Sequence, residues 1–160
     1  MDDNGYYEAK KTIYKDRGGR IWMLLMFDPK KQESIKEMVL KYHKYAYHTS
    51  PIYNAESIEK NGILAKYANT PFISNPKRIY LYLGNTSNQK YVDMMKSISR
   101  KLQSKDNKFT GDFVEYEIML KKLPENAEYY VDIHGCGKDY IYTESDIPIE
   151  SIRDSEDKAY

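Results

Sequence analysis

The segment Lys44-Tyr45-Ala46-Tyr47-His48-Thr49-Ser50-Pro51 indicates most directly how this chain folds. Residues 44–48 are rich in tyrosine and predict a short strand, which the Thr-Ser-Pro sequence at 49–51 ends. Apolar residues at positions 52, 55 and 58 predict a helix directly after it. Gly62 closes that helix, because glycine tolerates the left-handed conformation in which many helices end.

His48 stands at the junction between this strand and this helix, and two hydroxyl residues, Thr49 and Ser50, follow it. Such a junction brings ring nitrogens, hydroxyls and free backbone amides to one place, which suits a ribose or a phosphate. The alternative interpretation is an ordinary hydrogen-bonded histidine at a strand end. The spacing of the residues does not choose between the two.

Upstream of this segment, the sequence predicts a hairpin and a helix. Strands at 12–14 and 20–27 flank a Gly-Gly turn at 15–19. Asp28-Pro29 predicts the start of a helix, because aspartate caps free amides and proline suits the first helical position. The apolar stripe of this helix is Ile35, Met38, Val39 and Tyr42. His43 at its end complements the helix dipole.

Downstream, residues 78–83 predict a second strand, and Thr86-x-x-Gln89 matches a capping box that begins a third helix. The apolar stripe of the third helix is Tyr91, Met94, Met95, Ile98 and Leu102. An alternating pattern at 113–120 predicts a half-buried strand with Val114, Tyr116, Ile118 and Leu120 on one face.

Three more strands are predicted at 129–133, 139–143 and 147–152, with a loop at 134–138 between the first two. Strands grouped at both ends of the chain, with helices between them, favour an α+β fold over a parallel βαβ array. Asp139 is the acidic residue of most interest, because it opens a strand just after a glycine-bracketed loop.

The composition sets limits on function. A length of 160 residues predicts a single domain, and 25 Lys and Arg against 24 Asp and Glu give a net charge of +1. Because the lysines are scattered along the sequence, nothing demands a nucleic-acid or membrane partner. The apolar run at 21–27 is too short to span a bilayer, and the acidic first residues carry no secretory signal, so we expect a cytoplasmic protein.

The single cysteine, Cys136, excludes an internal disulfide, and His134 beside it has no second ligand pair, so no metal site is predicted. Tyrosine supplies 17 residues, against 4 Phe and 1 Trp. We expect those in the helix stripes and the alternating strand (Tyr42, Tyr91 and Tyr116) to be core. A second group of five lies on three other strands, where one face builds the core and the other lines a cleft: Tyr47, Tyr80, Tyr82, Tyr140 and Tyr142.

Three segments, in this order, resemble motifs of the ADP-ribosyltransferase-like superfamily. Tyr47-His48-Thr49-Ser50, with the helix at 54–63, resembles the first motif, a strand that ends in His and Thr or Ser before a helix. Arg78-Ile79-Tyr80-Leu81-Tyr82-Leu83 resembles the second-motif strand. Asp139-Tyr140-Ile141-Tyr142-Thr143, with residues 146–152, is similar to the last motif. The resemblance covers residues 44–153, and the hairpin and helix of 1–43 lie outside it.

The resemblance implies a split, mainly antiparallel sheet with flanking helices. It also implies an NAD-dependent ADP-ribosyltransferase that moves ADP-ribose to a macromolecular acceptor, protein or nucleic acid, and releases nicotinamide. NAD is then a co-substrate, and no metal is implied. Loops 67–77 and 134–138 would choose the acceptor. We expect, on this resemblance, a toxin or an effector in conflict between cells and mobile elements.

The same resemblance assigns roles to individual residues. His48 would bind the nicotinamide ribose, with Thr49 or Ser50 at the same ribose. Tyr80 would stack on the nicotinamide ring, with Tyr82 as the alternative, and Asp139 would take the place of the catalytic acid. The family's last motif usually has Glu there, often with Gln or Glu two residues earlier, where this chain has glycine.

Those departures leave two alternatives open. The first is a catalytically inactive protein of the same fold that binds or inhibits a protein partner through its tyrosines. The second is an RNA 2′-phosphotransferase. For this activity, the candidate residues that bind the 2′-phosphate are Lys77-Arg78 and Arg100-Lys101.

Overall fold

A computed structural model describes residues 6–15, 21–29, 33–65, 68–70, 73–75, 78–132 and 139–160. The strands, in chain order, are β1 (Tyr6–Lys15), β2 (Ile21–Pro29), β3 (Tyr45–Pro51), β4 (Ala68–Thr70), β5 (Ile73–Asn75), β6 (Ile79–Tyr82), β7 (Asp112–Met119), β8 (Tyr130–Val131), β9 (Tyr140–Thr143) and β10 (Glu156–Ala159). The helices are α1 (Lys36–Tyr42), α2 (Ala55–Asn61) and α3 (Gln89–Lys105). Six strands form one antiparallel sheet in the order β10-β7-β3-β6-β9-β8, which confirms the α+β class.

The remaining strands form two separate antiparallel pairs, β1 with β2 and β4 with β5. The first pair confirms the predicted hairpin, although most of its predicted turn lies outside the described residues. The helix start predicted at Asp28-Pro29 is wrong, because both residues belong to β2 and α1 begins only at Lys36. Pairing with β1 keeps the chain extended through Asp28, and a proline at the end of a strand is tolerated.

One face of the six-stranded sheet carries the main core. Ala46, Leu81, Ile118 and Ile141 of four neighbouring strands lie there with buried residues of α1 and α2. The predicted stripe of α1 is wrong at Met38 and Tyr42, which are 52% and 67% exposed, whereas Val39 is fully buried. A helix of seven residues makes only two turns, so α1 buries Val39 fully and packs only Leu40 beside it against the core.

α3 covers the opposite face, and its predicted stripe is confirmed. Tyr91, Met95 and Leu102 are buried with Tyr82 and Phe113 of the sheet. The cap of the helix is Asn88 and not Thr86, because the Asn88 side chain accepts a hydrogen bond from the Lys90 amide at 2.9 Å. The helix therefore begins at Gln89, the residue that the capping-box pattern had placed three positions inside it.

The strand predicted at 113–120 is confirmed as β7, with the predicted inward face buried, but it is not half-buried because helices cover both faces of the sheet. Phe113, Val114, Glu115 and Tyr116 are four consecutive buried residues of β7, a central strand that is covered on both sides. The strand predicted at 147–152 is absent from the described structure. Two isolated bridges, Ile63 with Ile147 and Ile118 with Ile152, hold that segment around a 3₁₀ turn instead. The edge strand β10 was not predicted, since its exposed, charged sequence has no apolar pattern.

Gly62 fixes the end of α2 against this bridged segment. Its φ of 74° is the left-handed conformation that the sequence predicted at this position. A β-carbon placed there would lie 2.2 Å from the carbonyl oxygen of Ile147. The next residue, Ile63, exchanges two backbone hydrogen bonds with Ile147, at 2.9 and 2.8 Å. Glycine is therefore required both by the conformation and by the close approach of a second backbone.

We predict that Gly62→Ala destabilises the protein by roughly 3–4 kcal/mol, because left-handed strain adds to a backbone clash. Gly111→Ala is the matched control. Gly111 also has a positive φ, 100°, but a β-carbon there would meet only Gln103 Nε2, at 3.6 Å. Strain alone should cost that variant about 1–2 kcal/mol. Urea denaturation measures both, and equal losses would contradict the clash with the Ile147 carbonyl.

Candidate functional site

The shortest ladder of the six-stranded sheet lies at its centre, between β3 and β6. β3 pairs with β7 over seven residues, and β6 pairs with β9 over four. Between β3 and β6 the described strands share one pair only, Tyr47 with Tyr82. On one side of that pair, residues 48–50 of β3 and 78–81 of β6 share no further backbone pair, and this gap in the ladder is called the opening below. Two of the three segments that resemble family motifs therefore face each other where the sheet opens.

His48 lies at the start of this opening. Its Nδ1 is 2.9 Å from the backbone carbonyl oxygen of Tyr80. A carbonyl only accepts, so Nδ1 must carry the proton and a neutral ring leaves Nε2 as an acceptor. Burial lowers the pKa of His48, and the hydrogen bond to the Tyr80 carbonyl opposes this in part. The ring is therefore neutral at pH 7. The prediction that His48 ends its strand is wrong, because β3 continues to Pro51.

The two hydroxyls that follow His48 lie on opposite sides of the strand. Thr49 Oγ1 is 2.8 Å from the Tyr91 hydroxyl, so β3 is tied to the first turn of α3. Ser50 is buried, and its hydroxyl accepts a hydrogen bond from Asn54 Nδ2 at 3.0 Å. Both hydroxyls predicted to reach the ribose thus have protein partners, although Ser50 retains its proton for donation.

Tyr80 belongs to a group of charged and aromatic side chains on β6 and its neighbours. The Arg78 guanidinium lies over the Tyr142 ring, 4.2 Å from its centroid, and hydrogen-bonds the Tyr80 side chain. Burial raises the pKa of Tyr80, while the charge of Arg78 and its hydrogen bond act in the opposite direction. Arg78 Nε is buried without a partner among the described residues. Stacking on an aromatic ring orients the guanidinium for planar recognition of an anion.

Tyr82 has a different role. Its ring stacks on Tyr91 at 4.4 Å and contacts Tyr140 at 4.9 Å, and it is only 7% exposed. A ring enclosed by two others offers no face to a ligand, so Tyr80, which is half-buried, is the better candidate for contact with a bound ring. A β-carbon at Gly84 would lie 2.4 Å from the Tyr82 hydroxyl, which shows how closely the backbone passes that group.

Asp139 lies beside Tyr82 at the start of β9. Its backbone carbonyl accepts a hydrogen bond from the Leu83 amide at 2.9 Å. Burial, and after it the charge of Asp139, raise the pKa of Tyr82. The structure therefore groups Asp139 with Tyr82 and groups His48 with the Tyr80 backbone. The loop 133–138 before Asp139 and much of the loop 67–77 lie outside the described residues.

The strand tyrosines share one face and do not divide between two. The register pairs Tyr47 with Tyr82, Tyr82 with Tyr140, and Tyr80 with Tyr142, and paired residues point to the same side of a sheet. The other face of the same strands, with Leu81 and Ile141, belongs to the main core, as predicted. On β3 the same register places His48 on the opposite face, level with Tyr116. Tyr91 and Tyr116 are buried as predicted, whereas Tyr42 is exposed.

Glu115 is the functional candidate that the sequence did not indicate. It lies directly opposite Thr49 on β7 and is 7% exposed, and its Oε1 has no partner among the described residues. Burial raises the pKa of its carboxyl, against the opposing charge of Lys158 and a hydrogen bond from Thr86. A buried carboxyl with a raised pKa is typical of functional sites. The alternating pattern at 113–120 placed this residue on the face predicted to be solvated. The sequence therefore contained no pattern that indicated its burial.

Comparisons with known proteins add no identification. No protein-family model matches the chain, and no curated protein matches it significantly. No helix within the described residues has both the length and the apolar character needed to cross a membrane. In the same part of the chain, no three His, Cys, Asp or Glu side chains form a group that could hold a metal ion.

We predict that Glu115→Gln stabilises the protein by about 1 kcal/mol at pH 7, because it removes a buried charge with an unpaired oxygen. The pKa of Glu115 is higher in the folded state than in the unfolded state. At pH values between these two pKa values, the folded state therefore binds more protons than the unfolded state does. The wild-type protein therefore loses stability as pH rises through that window, and the variant does not. Urea midpoints from pH 4 to 8 measure the difference.

Glu117→Gln is the control on the same strand. Glu117 is half-buried and pairs with Arg153 at 3.1 Å. Its replacement should lower stability slightly at pH 7, by at most about 1 kcal/mol, because partly exposed ion pairs contribute little. A Glu115→Gln variant that is less stable than the wild type at every pH would contradict the interpretation that the Glu115 carboxylate is buried with one oxygen unpaired.

Proposed function

We propose that this protein is an NAD-dependent ADP-ribosyltransferase whose site lies at the opening between β3 and β6. The observation that carries the proposal is the contact between His48 Nδ1 and the Tyr80 carbonyl at that opening. Residues from two motif-like segments, far apart in sequence, meet there in the order that the resemblance implies. The single Tyr47–Tyr82 pair between two three-stranded halves also agrees with the split sheet of that superfamily.

The neutral His48 ring suits the ribose role. With Nδ1 committed to the Tyr80 carbonyl, Nε2 accepts a hydrogen bond from a hydroxyl donor such as a ribose. Protonation of Nε2 would remove that acceptor. Because burial lowers the pKa of His48, the acceptor persists through the neutral range and is lost only at acid pH.

In the proposed reaction, the bond between the ribose C1′ and the nicotinamide nitrogen breaks, and nicotinamide leaves with the electron pair. The ribose then carries positive charge like that of an oxocarbenium ion. The resemblance assigns the stabilisation of this charge to the Asp139 carboxylate, which lies beside Leu83, on the other side of the Tyr47–Tyr82 pair from the opening. The acceptor nucleophile forms a bond to C1′ and releases its proton. Tyr80 holds the leaving ring by contact, so that the reacting atoms are positioned.

A second candidate function, RNA 2′-phosphotransfer, gains support from Arg78. Its guanidinium is oriented by the Tyr142 ring and by the Tyr80 side chain, and a buried Nε remains without a partner among the described residues. This geometry suits a bidentate contact with a phosphate. The two functions are separated by the product: ADP-ribose transfer releases nicotinamide without an RNA phosphate, and phosphotransfer needs a 2′-phosphorylated RNA.

The test is release of nicotinamide from labelled NAD, with and without crude protein, DNA and RNA fractions. We expect release by the wild type and a loss of about 100-fold or more in His48→Asn and Asp139→Asn. His48→Asn is chosen because its amide can still donate to the Tyr80 carbonyl but has no group at the place of Nε2. Its folding should therefore be retained, which thermal unfolding checks.

Two control variants change the same residue types outside the opening. His43→Asn alters the residue that ends α1, and Glu144→Gln alters an exposed acid just after β9. Both should retain wild-type turnover. Absence of NAD binding and turnover in the wild type, together with a stable protein partner recovered in a pull-down, would overturn the proposal in favour of an inactive binding protein.

The pH dependence of NAD binding offers a separate prediction. NAD affinity of the wild type should be constant near pH 7 and fall at acid pH, below the ordinary histidine pKa of about 6.5, as His48 gains a proton. The affinity of His48→Asn should be weaker and should lack this acid limb. Titration calorimetry from pH 4.5 to 8 measures both, and an identical acid limb in the variant would assign it to another group.

A further inference from the structure

α3 concentrates positive charge on its exposed side. Five basic residues and one acid give the helix a charge of +4, and because the whole chain carries +1, all other residues together carry −3. Four of these cations, Lys90, Lys96, Arg100 and Lys101, are exposed. The interpretation of the lysines as scattered is therefore wrong, because four exposed cations belong to one helix.

The cations are available to a partner. Among the described residues, none of the four forms an ion pair, and the one acid of the helix, Asp93, accepts a hydrogen bond from Gln89 at 2.8 Å. From Lys90 to Lys101 the helix rises about 16 Å, so the charges form an elongated row and not a point. A linear polyanion fits such a row better than a single phosphate or carboxylate does.

The helix also leads to the candidate site. Tyr91, next to Lys90 in the first turn, bonds Thr49 and stacks on Tyr82. The first turn of α3 is therefore the end of the basic row that lies nearest to β3 and β6. The apolar side of α3 is already buried against the sheet, whereas a membrane-surface helix directs that side to lipid.

We infer that the exposed basic side of α3 binds the phosphate backbone of a single-stranded nucleic acid and presents it to the site. An unpaired base is free to enter a protein site, whereas a base stacked in a duplex is not. This inference rests on the proposed function only for the identity of the acceptor. The binding surface itself is defined by the charges of α3.

The experiment is fluorescence anisotropy with labelled 20-nucleotide DNA and RNA strands between 50 and 300 mM salt. The variant Lys96→Gln/Arg100→Gln/Lys101→Gln should bind about tenfold or more weakly at 50 mM. The slope of log affinity against log salt should fall by about 2, since each phosphate contact on a single strand contributes about 0.7. The control Lys60→Gln/Lys121→Gln/Lys122→Gln makes the same charge change at exposed residues of other elements and should bind like the wild type.

Every outcome of this experiment either supports or overturns the inference. Equal weakening by both triple variants, no binding by the wild type at 50 mM salt, or tighter binding to a duplex or to phosphatidylserine vesicles would overturn it. Loss of strand binding with unchanged nicotinamide release from NAD alone would support it and separate the surface from the chemistry. Strand binding that depends on α3 in a protein that never cleaves NAD would sustain the surface while the proposed function fails.

Discussion

The rest of the site depends on one interstrand constraint, the single residue pair Tyr47–Tyr82 between the two halves of the sheet. On either side, the strands of each half are joined by longer ladders and pack into two buried clusters. A continuous ladder would satisfy the Tyr80 carbonyl from the backbone of β3. Here the His48 ring satisfies it instead, so a side chain takes the place of a strand contact at the point where the sheet opens.

The tyrosine content follows from this arrangement. A sheet covered on both faces needs large side chains, and an opening between strands needs hydroxyls and charges beside them. Tyrosine meets both needs, because its ring packs like phenylalanine while its hydroxyl finds a partner. Tyr91 does both, packing between α3 and the sheet and bonding Thr49, and Tyr80 contacts Arg78 at the opening. The same chemistry leaves Glu115 buried and incompletely paired beneath the start of α3.

Predictions succeeded where local chemistry is sufficient. The Gly62 helix end, the stripe of α3 and the strand at residues 79–82 each depend on conformational preference or periodicity within a few residues. The predictions failed where contacts with other elements determine the conformation or the burial of a residue. Asp28-Pro29 carries a helix-start pattern, but pairing with β1 extends it. Residues 113–120 alternate like a half-exposed strand, yet α3 buries the side that holds Glu115. The exposed Tyr42 shows the converse, an apolar position that no element covers.

The sequence by itself determined the α+β class, the segments that resemble family motifs, and the candidates His48, Tyr80 and Asp139. Only the tertiary structure decided how they are grouped: His48 with the Tyr80 backbone, Asp139 with an enclosed Tyr82, and Arg78 with Tyr142. It also revealed the buried Glu115 and the charge gathered on α3. The reason is physical, since spacing along a chain fixes local conformation, whereas burial, pairing and electric field depend on residues that only folding brings near.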